Sequence, residues 1–89
     1  MAYELRFSTR AAKQLRKLDR TVAARIADYL EGVAALDDPT TRGKNLRGEY
    51  GGIWRYRIGD FRVLCDINKR TLTILALEVR HRSKSYRAK

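Results

Sequence analysis

The stretch Ile53-Trp54-Arg55-Tyr56-Arg57-Ile58-Gly59-Asp60-Phe61-Arg62-Val63-Leu64-Cys65-Asp66-Ile67 decides the fold class. Two runs rich in apolar, β-branched and aromatic residues, Ile53–Ile58 and Phe61–Ile67, flank Gly59-Asp60, a two-residue hairpin signal. A loop of that length sets the register: Ile58 opposite Phe61, Arg57 opposite Arg62, Tyr56 opposite Val63 and Trp54 opposite Cys65. Side chains alternate between the two faces of a strand. One face therefore carries Trp54, Tyr56, Ile58, Phe61, Val63 and Cys65 and is predicted to be core. The opposite face carries Arg55, Arg57 and Arg62 and is predicted to be exposed.

Outward from this hairpin, the polar turn Asn68-Lys69-Arg70 leads into a third run, Thr71–Val79, rich in β-branched residues and leucine. Toward the N-terminus, Ala2–Phe7 alternates in the manner of a half-buried strand, with Tyr3, Leu5 and Phe7 against Glu4 and Arg6. Ser8 stands where a helix N-cap belongs, and Ala11, Leu15 and Leu18 recur at helical spacing. Asp19 is the expected N-cap of a second helix with an apolar stripe of Val22, Ile26, Tyr29, Leu30, Val33 and Leu36. Asp37-Asp38-Pro39 ends it, because the residue before proline disfavours helix. A helical hairpin is the reading adopted, and one long helix bent near Asp19 is the alternative. Thr40–Gly52 reads as a loop with Arg42, Lys44 and Arg47 among four glycines. The expected fold class is α+β: an N-terminal strand, an α-helical hairpin, then a three-strand antiparallel meander, forming a four-stranded sheet packed on the helices. Residues 1–89 read as a single domain without repeats or low-complexity tracts.

Composition narrows the partner. Twenty Lys and Arg face ten Asp and Glu, a net charge of +10. Such an excess destabilises a small domain through self-repulsion unless a polyanion or acidic partner relieves it. Arginines outnumber lysines 14 to 6, and the planar guanidinium fork matches phosphate oxygens, which points to RNA. A merely solvated basic surface is the alternative. Cys65 is the lone cysteine, so no internal disulfide is expected, and its setting suits a small buried hydrophobe. His81 alone cannot build a zinc site, and neither metal nor cofactor is expected. No stretch approaches the roughly 18 apolar residues of a membrane span, and no apolar leader is visible. The protein is expected to be soluble and cytoplasmic, with no membrane partner.

The opposed arginines locate the interest. Arg57 and Arg62 stand directly across from each other, and like charges so placed are destabilising. A phosphate between the two guanidinium groups removes the repulsion and recruits bidentate hydrogen bonds. The run Arg80-His81-Arg82-Ser83-Lys84-Ser85-Tyr86-Arg87 adds arginines, a histidine able to titrate near neutrality, and a tyrosine able to stack on a base. RNA is cut without metal when its own 2′-OH attacks the adjacent phosphate. Preorganised cations then stabilise the pentacovalent transition state, while titratable side chains move the protons. The chain has arginines, one histidine and one suitably placed tyrosine for these tasks, and no carboxylate in an obvious base position.

These residues, in this order, resemble the RelE-like toxins of bacterial and archaeal type II toxin–antitoxin modules. The likeness runs through the order of strand, helical hairpin and basic loop ending Asn45-Leu46-Arg47-Gly48, then Trp54–Ile58, Asp60-Phe61-Arg62-Val63-Leu64 and Val79–Arg87, and so spans nearly the whole chain. It implies a ribosome-dependent mRNA interferase that enters the ribosomal A site and cuts the mRNA there by 2′-OH attack. It also implies a cognate RelB-like antitoxin that covers the basic face, in a complex that binds operator DNA through the antitoxin. By the same resemblance Arg62 and Arg82 stabilise charge at the scissile phosphate, Tyr86 stacks on the mRNA base, and Arg47 and Lys44 contact backbone phosphate. Arg55, Arg57 and Arg80 complete the RNA-binding set. Well-known members carry lysines where this chain has Arg55 and Arg57, and one such lysine is a proposed general base. Arginine does not readily lose a proton, so His81 or Tyr86 is left for that role. The glycine common before the His-Arg pair is Arg80 here, which leaves the catalytic arginine open between Arg80 and Arg82.

Two other readings compete. A ParE-like toxin shares the fold, binds DNA gyrase and cuts nothing, but generally lacks the terminal Arg…Tyr set. A non-catalytic RNA-binding module would need aromatic stacking platforms, yet Trp54, Tyr56 and Phe61 fall on the predicted core face.

Overall fold

Two side chains set where the helices begin. Ser8 has extended backbone and its Oγ accepts from the Ala11 N–H at 3.0 Å, satisfying a donor that a helix N-terminus otherwise leaves open. Asp19 does the same for the next helix, its Oδ2 accepting from the Thr21 N–H at 3.1 Å. In the computed structural model, which describes residues 2–46 and 52–85, these caps open α1 (Thr9–Arg16) and α2 (Arg20–Ala34). The helical half is thus two helices rather than one bent helix. After α2, the Asp38 carboxylate accepts from the Thr40 N–H and caps a 3-10 turn over Pro39–Thr41.

The remaining elements are β1 (Glu4–Phe7), β2 (Lys44–Asn45), β3 (Ile53–Ile58), β4 (Phe61–Asn68), β5 (Thr73–His81) and a short α3 (Arg82–Ser85). The sheet has five strands in the order β1-β5-β4-β3-β2, not the four expected. The extra strand is β2, which pairs Lys44 with Arg55 and Asn45 with Trp54. Two residues are too few for a period-two pattern to register in the sequence. The β3–β4 hairpin has the register that its two-residue turn dictates, including Arg57 opposite Arg62. β5 starts two residues later than expected and runs past Val79 to His81, and β1 lies parallel beside it. Among the described residues no helix is long and apolar enough to cross a membrane.

The core lies on one face of this sheet. Ala11 of α1 and Ile26, Leu30 and Val33 of α2 are completely buried with Tyr56, Val63, Cys65, Ile74 and Ala76. Each large aliphatic side chain so buried contributes about 1.5–3 kcal/mol. Trp54 and Phe61, expected within the core, are only partly buried at its margin. Trp54 faces the two-residue edge strand, and Phe61 is the first residue of β4, paired with the last of β5.

A β-bulge interrupts the β4–β5 pairing. Leu64 faces Glu78 while Cys65 faces Ala76, so Leu77 is the extra residue on β5. One extra residue exchanges the two faces of everything beyond it. Ile74 and Ala76 point into the core before the bulge; Val79 does so after it. Glu78 and Arg80 are thereby turned to the face away from the helices. Where β1 stops, side chains from the start of the helical half take over the edge of β5. Ser8 Oγ donates to the Leu77 carbonyl at 2.8 Å, and the Val79 N–H donates to Gln14 Oε1 at 2.7 Å.

At the other edge, Tyr56 ties the turn after α2 to the sheet: its buried hydroxyl donates to the Pro39 carbonyl at 2.8 Å. Gly43 lies against the same ring with φ +78°, where an added Cβ would stand 2.7 Å from both the Arg55 carbonyl oxygen and Tyr56 Cε1. Gly43→Ala is therefore expected to cost about 2 kcal/mol or more in urea unfolding. Tyr56→Phe, which leaves the Pro39 carbonyl buried without its donor, is expected to cost about 1–2 kcal/mol.

Candidate nucleic-acid interface

The bulge and the hairpin turn together assemble a row of arginines. Arg57 on β3 faces Arg62 on β4, and Arg62 faces Arg80 on β5, all on the side of the sheet away from the helices. Adjacent strands are about 4.8 Å apart, so the three side chains rise from backbone positions spanning about 10 Å. The next row on that face holds Lys44, Arg55, Leu64 and Glu78. Six of the expected site residues are thus on described strands, and five of them, Lys44, Arg55, Arg57, Arg62 and Arg80, share this surface.

Arg62 departs from expectation. It is only 5% exposed, not part of an open basic face, whereas Arg57 and Arg80 are exposed and Arg55 is half-buried. It lies on β4, the central strand, flanked in register by two long side chains. Withdrawing a guanidinium from water costs several kcal/mol that hydrogen bonds and counter-charge must offset. Arg55 shares the condition, since its Nε is buried with no hydrogen-bond partner among the described residues. Polar groups held in this way are preorganised for an anion, because little solvent has to leave them when one arrives.

Sequence reasoning missed Glu78. Its carboxylate accepts from Arg80 Nε at 2.9 Å and from Arg80 Nη2 at 3.1 Å, and Arg10 Nη2 on α1 lies 3.8 Å away. The hydrogen bond from Arg80 holds this carboxyl below the usual range, aided by the charges of Arg80 and Arg10 and opposed by burial. It therefore stays ionised at neutral pH. The signal was present: strict alternation from Ile74 would put Glu78 and Arg80 inside the core, which only a bulge avoids.

His81 is on the other side. It pairs with Phe61 on the face that carries Val63 and Val79, and its ring meets the Phe61 ring edge-on at a centroid distance of 5.2 Å. The Ser83 N–H donates to His81 Nδ1 at 3.2 Å, and Ser83 Oγ lies 2.8 Å from the same nitrogen. The His81 ring is thus tied to Ser83 at the start of α3. The structure does not bring His81 to the arginine row. Arg82 also leaves the sheet: its N–H donates to the Asp60 carbonyl at 2.7 Å, and its Nη1 lies 3.7 Å from Asp60 Oδ1 at the hairpin turn. Of the two arginines left open by the sequence, Arg80 is the one in the row. Arg47 and Tyr86 lie outside the described residues. Cys65 is buried, and burial pushes its thiol up to about 12, which removes it as a thiolate nucleophile.

Comparison with known proteins adds a second line of observation. The family model for the ParE toxin of the type II toxin–antitoxin system parDE matches residues 5–86. Toxin RelG of Mycobacterium tuberculosis is 34% identical over 87 residues, covering 98% of this chain and 99% of the relative. Toxin RelE of the same organism is 31% identical over 85 residues, covering 96% of this chain and 87% of the relative. Among solved structures, a chain of the M. tuberculosis toxin–antitoxin complex RelBE2 superposes with a TM-score of 0.81 at 32% identity, covering 93% of this chain and 94% of that one. The archaeal RelE–RelB complex from Pyrococcus horikoshii superposes with a TM-score of 0.77 at 23% identity, covering 94% and 99%, a likeness of fold.

An arginine row of this kind is expected to respond to anions by charge and shape rather than ionic strength alone. Inorganic phosphate should raise the thermal unfolding midpoint more than chloride at matched ionic strength, because binding to the folded state stabilises it. Arg57→Ala should shrink that difference. An equal response to both salts in scanning fluorimetry would show that the row does not bind phosphate.

Proposed function

The chain belongs to the ParE toxin family of type II toxin–antitoxin systems, within the RelE/ParE superfamily, and from this premise we propose that it is a ribosome-dependent mRNA endonuclease. The observation that carries this reading is the in-register row Arg57–Arg62–Arg80, with its central guanidinium withdrawn from solvent. Binding a protein surface does not by itself call for three aligned cations, the middle one buried. A phosphodiester in cleavage does, because negative charge accumulates on its non-bridging oxygens.

In the proposed reaction the RNA 2′-oxygen forms a bond to phosphorus as the bond from phosphorus to the 5′-oxygen breaks. The 2′-OH proton leaves to a base, and the 5′-oxygen takes up a proton. Arg62 and Arg80 stabilise the charge of the transition state. Arg55, Arg57, Lys44 and Arg47 hold the flanking phosphates, and Tyr86 stacks on the base. Arg82, anchored beside Asp60, is a second-rank candidate for the scissile phosphate, and His81, facing the helices, for the proton transfers. Catalysis then rests mainly on charge stabilisation and orientation within the ribosomal A site. A RelB-like antitoxin of acidic and apolar character is the natural inhibitor of so basic a surface. Solved relatives include the toxin–antitoxin complexes RelBE2 and RelE–RelB, and any binding of such a complex to operator DNA we assign to the antitoxin.

The matching family model carries the ParE name, which favours gyrase binding as the second reading. One experiment separates the two: mapping new mRNA 5′ ends in a translating extract, beside a gyrase supercoiling assay. New ends with unaffected supercoiling are expected; the reverse would overturn the nuclease reading. Arg62→Ala and Arg80→Ala should each lower the cleavage rate by about 10²-fold or more while weakening ribosome binding less. Arg57→Ala should instead weaken binding and reduce the salt slope by about 1. Tyr86→Phe should keep much of the activity that Tyr86→Ala loses, since stacking needs the ring rather than the hydroxyl.

A further inference from the structure

Arg80 does not stand unsupported in its row. Its Nε and Nη2 both donate to one carboxylate, that of Glu78, at 2.9 and 3.1 Å. This is the bidentate arrangement that fixes the plane of a guanidinium as well as its position. The carboxylate is itself restrained. The Glu78 side chain is only 16% exposed, and the long Arg10 side chain also reaches it at 3.8 Å, so its carboxylate lies between two arginines. The Arg80 side chain is 45% exposed, and an arginine of that exposure otherwise samples many rotamers. Glu78 occupies one edge of the fork and directs the opposite edge, Nη1 with the remaining Nη2 proton, away from itself.

We propose that Glu78 is a positioning residue for cleavage: it orients the Arg80 guanidinium beside Arg62 so that its outer edge meets the scissile phosphate. The role rests on the ribonuclease reading and deepens it. It depends on the bulge at Leu77, since without that extra residue Glu78 and Arg80 would turn into the core. It also accounts for an anion on a surface otherwise suited to bind one. Misplacing a transition-state cation by a fraction of its length loses rate without losing encounter. Glu78 touches no reacting atom and acts only through Arg80.

The test measures single-turnover mRNA cleavage on programmed ribosomes, with rate at saturating protein and half-saturating concentration determined separately. Wild type, Glu78→Gln, Glu78→Ala, Arg80→Ala and the Glu78→Ala/Arg80→Ala double variant are compared. Glu78→Ala is expected to lower the saturating rate by about tenfold with the half-saturating concentration nearly unchanged. The isosteric Glu78→Gln, which keeps one acceptor, should lie between it and wild type. The double variant should be no slower than Arg80→Ala alone, because the two act as one unit. In NMR, slow exchange of the Arg80 Nε proton should be lost in Glu78→Ala. A Glu78→Ala rate at or above wild type, with Arg80→Ala still impaired, would overturn the positioning role and leave the nuclease reading standing. A wild-type protein that binds ribosomes and cuts nothing would sink both.

Discussion

A single extra residue in the last strand governs which side chains meet. Strand alternation would send Glu78 and Arg80 into the core along with Ile74 and Ala76. The bulge at Leu77 reverses the faces, so that Val79 seals the core and Arg80 joins Arg57 and Arg62. Two irregularities of opposite kinds therefore build the arginine row: a tight turn at Gly59-Asp60 that sets one register, and a bulge that resets the other. Neither involves a residue of the row itself. The surface belongs to the sheet's bookkeeping of odd and even positions more than to any one side chain.

The row also sets a tension between stability and function. Three guanidinium groups stand in register, the central one buried and Arg80 paired with Glu78. A small domain with a net charge of +10 has little margin to absorb such a cost. The helix side offsets it with a fully apolar layer, in which α2 alone supplies Ile26, Leu30 and Val33. The two faces thus do different work. One holds the fold together, and the other keeps cations in an arrangement that an anion relieves.

Much of this was legible in the residues. Ser8 and Asp19 marked both helix starts through an ordinary capping rule, and Gly59-Asp60 gave the hairpin register and hence the opposition of Arg57 and Arg62. Cys65 read correctly as a small buried hydrophobe. What escaped depends on distant or sub-threshold information. Lys44-Asn45 is too short to show a period, and the partner of β1 is decided by topology that no local pattern encodes. Arg62 lies on the central strand between long side chains of two others, a setting that its own strand does not encode. The sides taken by Arg80 and His81 hinge on the bulge, for which the one clue was the acidic Glu78 at a position where alternation called for an apolar residue.

The parallel pairing of the first strand with the last has a temporal consequence. Ser8 and the Leu77 carbonyl it binds are 69 residues apart, and Glu4 pairs with Thr73. Contacts so distant along the chain form slowly, because the entropy of closing the intervening loop is spent before the pairing returns anything. A chain synthesised from its N-terminus holds β1 without its neighbour until β5 has been made. Arg80 lies on that same strand, so the arginine row cannot be complete before β5 has been made. A nascent chain carries the helices and the β3–β4 hairpin well before it carries the complete row.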